Sequence, residues 1–354
     1  MRIRFGVLGI SAVVITGLAT YMLWLAGAFR VIEPQFDGDC RKIGGVVGAE
    51  DITIHPSGEY AYVSAYDRRA VMFHGADGGG ALYRYDLTQA DARPVRLETP
   101  ELPGLLPHGI SLYRGEDGQE TLFVINHANG QHSLEVFDIR EGQLQHRRTL
   151  RSELFVSPND VVAVNADVAY VTNDHGYGGP GMQMLEDYLR LPLASVVLVD
   201  GEQVSKAVTG LRYANGIQLS PHGHTLYVSS VTQPAIHVYD RDPDTHALVW
   251  RSDIALRTGA DNLEIEPSGR LWLAAHPKLL TFVRHAQDAS VLSPSEVLRI
   301  TPRASGQFEV ESVLVDDGSR LSGSSTAAVH GDRLLVGTVF DPHFLDCRMT
   351  QAPE

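Results

Sequence analysis

The chain has 354 residues, 44% of them hydrophobic and 20% charged, a composition that one propeller or barrel absorbs without a second globular domain. Acidic residues outnumber basic ones by 43 to 29, giving a formal charge of -14. No basic run breaks that balance, so a nucleic-acid partner is disfavoured.

In chain order, the first element is a stretch without charge from Phe5 to Phe29, behind Arg2 and Arg4. At about 1.5 Å of helix per residue it is long enough for a hydrocarbon core of about 30 Å. The two arginines would hold the N-terminus in the cytoplasm and export the rest. A cleaved signal peptide, with Ala26-Gly27-Ala28 as its small-residue site, is the competing reading. An anchor over residues 1–30 leaves the domain over 31–354 attached to the membrane but extracytoplasmic; cleavage makes it secreted. The only two cysteines, Cys40 and Cys347, stand near the two ends of that domain. In an exported protein they are expected to form a disulfide.

Beyond Cys40 the pattern is all-β: short alternating runs separated by Gly, Pro, Asp and Asn. One unit recurs, a polar pair leading an apolar strand, then a turn, then a second apolar strand. Copies start at Glu50-Asp51, His108-Gly109, Asn159-Asp160, Asn215-Gly216, Asp261-Asn262 and, most degenerate, Ser324-Ser325-Thr326. Their spacing of about 45 to 65 residues suits four-stranded blades, so the expected fold is a six-bladed β-propeller. A Cys40–Cys347 bridge would close such a ring. One stretch breaks the rhythm: His175 to Gly181 is glycine-rich, and Met182 to Leu193 can form a short helix. It reads as a lid or membrane-facing element, or as a plain surface loop.

Innermost propeller strands line a central channel, so equivalent repeat positions converge there. A single Asn or Asp at such a position is ordinarily a turn cap. Five of the six copies carrying such residues at one register is a stronger pattern. Carboxylate and amide oxygens suit Ca²⁺, whereas zinc would want His and Cys. Glu50 and Asp261 neutralise one divalent ion, and Asn159, Asn215 and Asn262 complete its shell. Asp51 and Asp160, next along their strands, point the other way and could hold a second, structural ion. His108 heads its repeat, and His127 ends the partner strand of the same blade. Together they form a candidate base for activating water, with a purely structural pair as the alternative. His55, His175 and His276 read as structural or surface groups. No Gly-x-Ser-x-Gly elbow, metalloprotease helix or phosphate-binding glycine loop occurs, which disfavours a serine nucleophile.

From about Cys40 to Cys347 the chain resembles the paraoxonase/arylesterase family of calcium-dependent lactonases. The likeness is carried by Gly48-Ala49-Glu50-Asp51-Ile52, Pro107-His108-Gly109-Ile110-Ser111, Val124-Ile125-Asn126-His127, Asn159-Asp160-Val161, Ala214-Asn215-Gly216-Ile217, Asp261-Asn262, His276-Pro277 and Ser295-Glu296-Val297-Leu298-Arg299-Ile300. The resemblance implies a propeller that hydrolyses lactones and aryl esters with two Ca²⁺ ions. Glu50, Asn159, Asn215, Asp261 and Asn262 would hold the catalytic ion. Asp51, Asp160 and the Ile110 carbonyl would hold the structural one, and His108 with His127 would form the catalytic dyad. Glu50 or Asp261 could be the base instead. The chain departs from the family at Ala275, where members often have cysteine, and in the stretches 66–81 and 176–193, which bear on substrate preference. A non-catalytic, calcium-fastened propeller that binds a partner, and a sugar-lactone hydrolase, are the alternative functions.

Overall fold

The computed structural model describes residues 16–76 and 79–350, so positions 5–15 of the expected span from Phe5 to Phe29 lie outside the described residues. Residues 16–25 form helix α1. Among the described residues no helix is long and apolar enough to cross a membrane.

The expected six-bladed propeller is the fold. Six antiparallel sheets follow one another around the chain, each built outward from an inner strand. The inner strands are Ala49–Ile54, Pro107–Arg114, Pro158–Ala163, Ala214–Leu219, Gly259–Ile265 and Ser324–His330, in blades 1 to 6. Each touches the next, and the sixth touches the first, which encloses a channel. Six apolar clusters fill the seams between neighbouring blades. Ile52, Val63 and Tyr85 of blade 1, for example, pack against Leu335 and Phe344 of blade 6. Alternation along the strands supplies these contacts, because one face of each sheet meets the preceding blade and the other the following one.

Blade 6 is assembled from both ends of the chain. Its outer strand is Gly38–Gly44, paired antiparallel with His343–Met349, and Cys40 faces Cys347 in that ladder. The two sulfurs are bonded, as expected. Asp346 reinforces the joint: Arg333 and Arg41 donate to it, and the Tyr85 hydroxyl of blade 1 does so at 2.7 Å.

Three further helices interrupt blades 1, 3 and 5 between their second and third strands: α2 (Arg68–His74), α3 (Pro180–Leu189) and α4 (Leu279–Gln287). An antiparallel blade places that connection at the end where its inner strand begins, so all three overlie the polar pairs. Asp67 caps α2 by accepting from the Ala70 amide at 2.9 Å, and Gly75 ends it with φ 68°. The helix expected over Met182–Leu193 is α3, started by Pro180 and ending at Leu189. α1 leans on the same face, where the Leu279 amide donates to the Ala26 carbonyl at 3.0 Å.

Candidate metal and catalytic centre

Every inner strand breaks register with its neighbour at the same place. The breaks fall between Ala49 and Asp51, Pro107 and Ile110, Pro158 and Val161, Ala214 and Ile217, Ala260 and Leu263, and Ser324 and Ala327. The residues spanned by these bulges are those of the polar pairs, except Asp51, which stays paired with Ser64. A bulge releases residues from the ladder and re-aims their side chains, here toward the axis. Hydroxyls of adjacent blades fix the released backbone. Ser64 donates to the His108 carbonyl, Thr172 to that of Asn215 at 2.6 Å, Ser229 to that of Asp261 at 2.6 Å and Ser325 to that of Glu50. These four struts were missed in the sequence, where isolated Ser and Thr in strands carry no signal.

The bulges gather Glu50, Asn159, Asn215, Asp261 and Asn262, all buried. Each presents one buried oxygen that has no hydrogen-bond partner: Glu50 Oε2, Asn159 Oδ1, Asn215 Oδ1, Asp261 Oδ1 and Asn262 Oδ1. In Glu50, Asn159, Asp261 and Asn262 the other side-chain polar atom is engaged. Asn262 Nδ2 donates to Glu50 Oε1 at 2.8 Å, Asn159 Nδ2 to Asp174 Oδ2 at 3.2 Å, and His276 Nε2 lies 2.7 Å from Asp261 Oδ2. Buried oxygens are ordinarily satisfied, so five orphans at one place mark a site built for something absent from the polypeptide. Two carboxylates and three amides match a hard divalent cation. Among the described residues no three His, Cys, Asp or Glu side chains form a metal-binding group by themselves, because the amide oxygens are the majority here.

Below this set sit Asp51 and Asp160. Each accepts from its own next amide and from an amide of the following blade: Asp51 from Ile52 at 2.9 Å and Ile110 at 2.7 Å, Asp160 from Val161 at 2.7 Å and Ile217 at 2.9 Å. They therefore fasten blade to blade. Gly109 leaves the space for this: a Cβ there would lie 2.5 Å from the Asp160 Cα and Oδ1. A cavity of about 200 Å³ opens under both aspartates and also reaches Glu264. Burial and the neighbouring charge of Glu50 push Asp51 up to about 8, and burial with the Asp51 charge pushes Asp160 well above the carboxylate range. Glu264 is likewise pushed to about 8 by burial and Asp51. Three acids held this way lack a positive charge. A larger groove of about 1050 Å³ lies against Phe36, Arg270 and Glu311 on the outer side of blade 5, away from the polar pairs.

His108 and His127 do meet. His108 Nδ1 is 2.9 Å from His127 Nε2, while His108 Nε2 lies 3.6 Å from Glu50 Oε1. A third ring continues the row, with His132 Nδ1 2.8 Å from His127 Nδ1. Burial holds His127 well below its ordinary value, reinforced by His108 and His132 on either side. Burial also lowers His132, against the attraction of Asp174. Burial raises Glu50, but His108 and the Arg68 guanidinium outweigh it and keep it ionised. Arg68 lies in the poorly matching 66–81 stretch. It is buried on α2, donates to the Gly48 carbonyl at 3.2 Å, and its Nη2 stands 3.7 Å from Glu50 Oε2.

His276, expected to be a structural or surface group, is buried and orients Asp261. His175 has the same standing on the other side. Burial lowers it, but Asp174 at 2.7 Å and Asp187 at 3.1 Å raise it to about 10, and it ties α3 to the Asp174 that holds Asn159. His55 bonds Glu120 at 2.7 Å between blades 1 and 2, at the far end of their inner strands.

A family model described as Arylesterase matches residues 32–349, nearly the whole propeller. The chain belongs to the arylesterase family. Arylesterases are carboxylic ester hydrolases, and this chain is an enzyme of that class. Family relatives agree over almost their full length. Rat serum paraoxonase/arylesterase 2 is 35% identical over 323 residues, covering 88% of this chain and 90% of the relative. The human protein of that name is 32% identical over 348 residues, 96% and 97% of the two chains. Human serum paraoxonase/arylesterase 1 is 31% identical over 321 residues, 88% and 90%. Outside the family, a luciferin-regenerating enzyme superposes with TM-score 0.56 at 13% identity, covering 90% of this chain and 97% of its own. A calcium-binding regucalcin from Agrobacterium tumefaciens gives 0.53 at 16%, covering 90% and 97%. At those identities the likeness is one of fold.

Proposed function

We propose that this arylesterase is a calcium-dependent lactonase with aryl esters as side substrates, and that Glu50, Asn159, Asn215, Asp261 and Asn262 hold its catalytic ion. The observation that carries this reading is the set of five buried, unpartnered oxygens converging from four blades. When bound, a divalent cation there supplies the positive charge that polarises an ester carbonyl and stabilises the developing oxyanion. His276 keeps Asp261 turned toward the ion, and Asn262 does the same for Glu50. His108 Nε2, beside the ligand cluster, takes a proton from the attacking water. His127, kept neutral, accepts the hydrogen bond from His108 Nδ1 and orients that ring. A carboxylate base is disfavoured, because Glu50 and Asp261 are engaged as ligands. Asp51, Asp160 and the Ile110 carbonyl are assigned to a second, structural ion, for which the three raised carboxyls of the lower channel are the support.

The domain is assigned outside the cytoplasm, held to a membrane by the N-terminal segment. A Cys40–Cys347 bond is at home in an oxidising compartment, and α1 and α3 expose Leu18, Tyr21, Trp24, Tyr188 and Leu189 as an apolar surface suited to a bilayer.

The deciding experiment is hydrolysis of a panel of aliphatic lactones and aryl esters, with and without EDTA, followed by Ca²⁺ add-back. Turnover of lactones that disappears with chelator and returns with Ca²⁺ is expected; undiminished turnover in excess chelator would overturn the assignment. His108→Gln is expected to slow turnover on the order of 10²-fold while calcium affinity is kept.

A further inference from the structure

His127 ends the second strand of blade 2 and His132 precedes the third, so the two are joined by a tight loop. Asn129 with φ 57° and Gly130 with φ 67° turn that loop back on itself in the left-handed region, which brings His132 against His127. The rings meet edge to face, with centroids 4.9 Å apart and planes at 89°. The His108–His127 pair is similar, at 5.1 Å and 63°. His108 thus begins at the ligand cluster, and His132 lies two residues beyond the exposed Asn129 and Gly130, itself partly open to solvent.

We propose that His132 is the outer member of a three-imidazole relay that exchanges the reaction's proton between His108 and solvent. This rests on the reading that His108 takes the proton of the attacking water. Two sets of tautomers satisfy both contacts, and the relay starts from the one that leaves His108 Nε2 free to accept. His108 carries its proton on Nδ1 and donates to His127 Nε2; His127 carries its own on Nδ1 and donates to His132 Nδ1; His132 carries its own on Nε2. When the water O–H bond breaks, its proton joins His108 Nε2 and the oxygen keeps the electron pair that forms the bond to carbonyl carbon. The proton on His108 Nδ1 passes to His127 Nε2, that on His127 Nδ1 passes to His132 Nδ1, and that on His132 Nε2 leaves to a solvent or buffer base. The reverse series delivers a proton from His108 Nε2 to the leaving alkoxide and restores the starting tautomers. The carboxylic acid product releases its own proton directly. The two rings beyond His108 have the neutrality this requires, since burial keeps His127 and His132 below the ordinary imidazole range. Glu50 at the His108 end, Asp174 and Arg68 are the charged groups that bear on this row, and none interrupts the hydrogen bonds within it.

His132 touches no reacting atom and is a positioning and relay residue. Its test is the full calcium-loaded chain carrying His132→Phe or His132→Gln, assayed with a fast aryl ester at low and high buffer concentration. The expected result is a kcat on the order of 10-fold lower in dilute buffer, with KM unchanged, a larger solvent deuterium isotope effect, and recovery on adding free imidazole. A wild-type kcat in dilute buffer would overturn the relay. So would a loss that imidazole leaves untouched in both variants, since that marks a structural role. His108→Gln separates the two ideas. If it retains wild-type turnover, the histidine-base reading fails. If it is slow while both His132 variants are normal, only the relay fails.

Discussion

Asn215 and Asp261 illustrate a choice made at single residues. Each buries one oxygen with nothing to bond, and such an atom costs about 1 to 3 kcal/mol relative to a satisfied one. A bound cation reverses that sign, so substitution should have opposite effects with and without metal. Asn215→Ala and Asp261→Ala are expected to abolish most lactone turnover and to weaken calcium binding, as read by isothermal titration. In chelator the same Asn215→Ala protein should melt no lower than wild type, because an orphaned acceptor has been removed. A clear loss of melting temperature in EDTA would mean that Asn215 is an ordinary structural amide. The lower pair obeys a related rule. Asp51, pushed to about 8, lies above its unfolded value of about 3.9, so its contribution to metal-free stability is full below pH 4 and is lost as pH rises through about 8. Calcium competes with those protons. The melting-temperature gain between EDTA and excess Ca²⁺ should therefore grow from pH 5 to pH 8, and a gain independent of pH would remove these aspartates from the cation's shell.

At the level of the strand, one register break explains most of the centre. Without it, successive side chains alternate faces and half of each polar pair would be driven into the seam between blades. Gly109 is part of the device. A methyl group there would collide with the Asp160 backbone and carboxyl, so Gly109→Ala should destabilise by about 1 to 3 kcal/mol, read as a lower urea midpoint. Gly216, whose Cβ would meet the Asn262 Cα at 2.6 Å, should behave alike, and wild-type midpoints for both would show that the channel tolerates wider bulges. How far this was legible beforehand follows from the same feature. A repeated strand headed in five of six copies by polar residues is visible in one dimension, and it revealed the blades, the candidate ligand residues and His108, with His127 at the end of the partner strand. His132, Arg68, Asp174 and His276 carry no repeat. They reach the centre through loops and second strands whose path only three dimensions supply. His276 looked ordinary because its partner Asp261 is distant in sequence, and His175 because its adjacent partner Asp174 reaches the centre only through Asn159.

The whole molecule depends on a single seam. Between blades 1 and 5 every junction is made by sequential chain, whereas blade 6 is stitched from two distant segments and one covalent bond. Cys40 and Cys347 are 307 residues apart, and constraining so long a loop stabilises by up to about 5 kcal/mol. Replacing both by serine should lower the urea midpoint and make Gly38–Gly44 the first strand to exchange its amide hydrogens, since a short terminal strand then holds by its ladder alone. An unchanged midpoint would assign ring closure to packing around Asp346 instead. Chain order also dictates when the ring can shut. Gly38–Gly44 is made among the first residues of the domain, yet its partner His343–Met349 is made near the last. Until that partner is made the early strand lacks its ladder, and Cys40 lacks the cysteine it bonds in the finished fold. The Cys40–Cys347 bond is therefore a certificate that the chain has been made through its last blade. Any product that stops short of the last blade keeps an alkylatable sulfur and an open edge, two marks that distinguish an incomplete enzyme from a complete one.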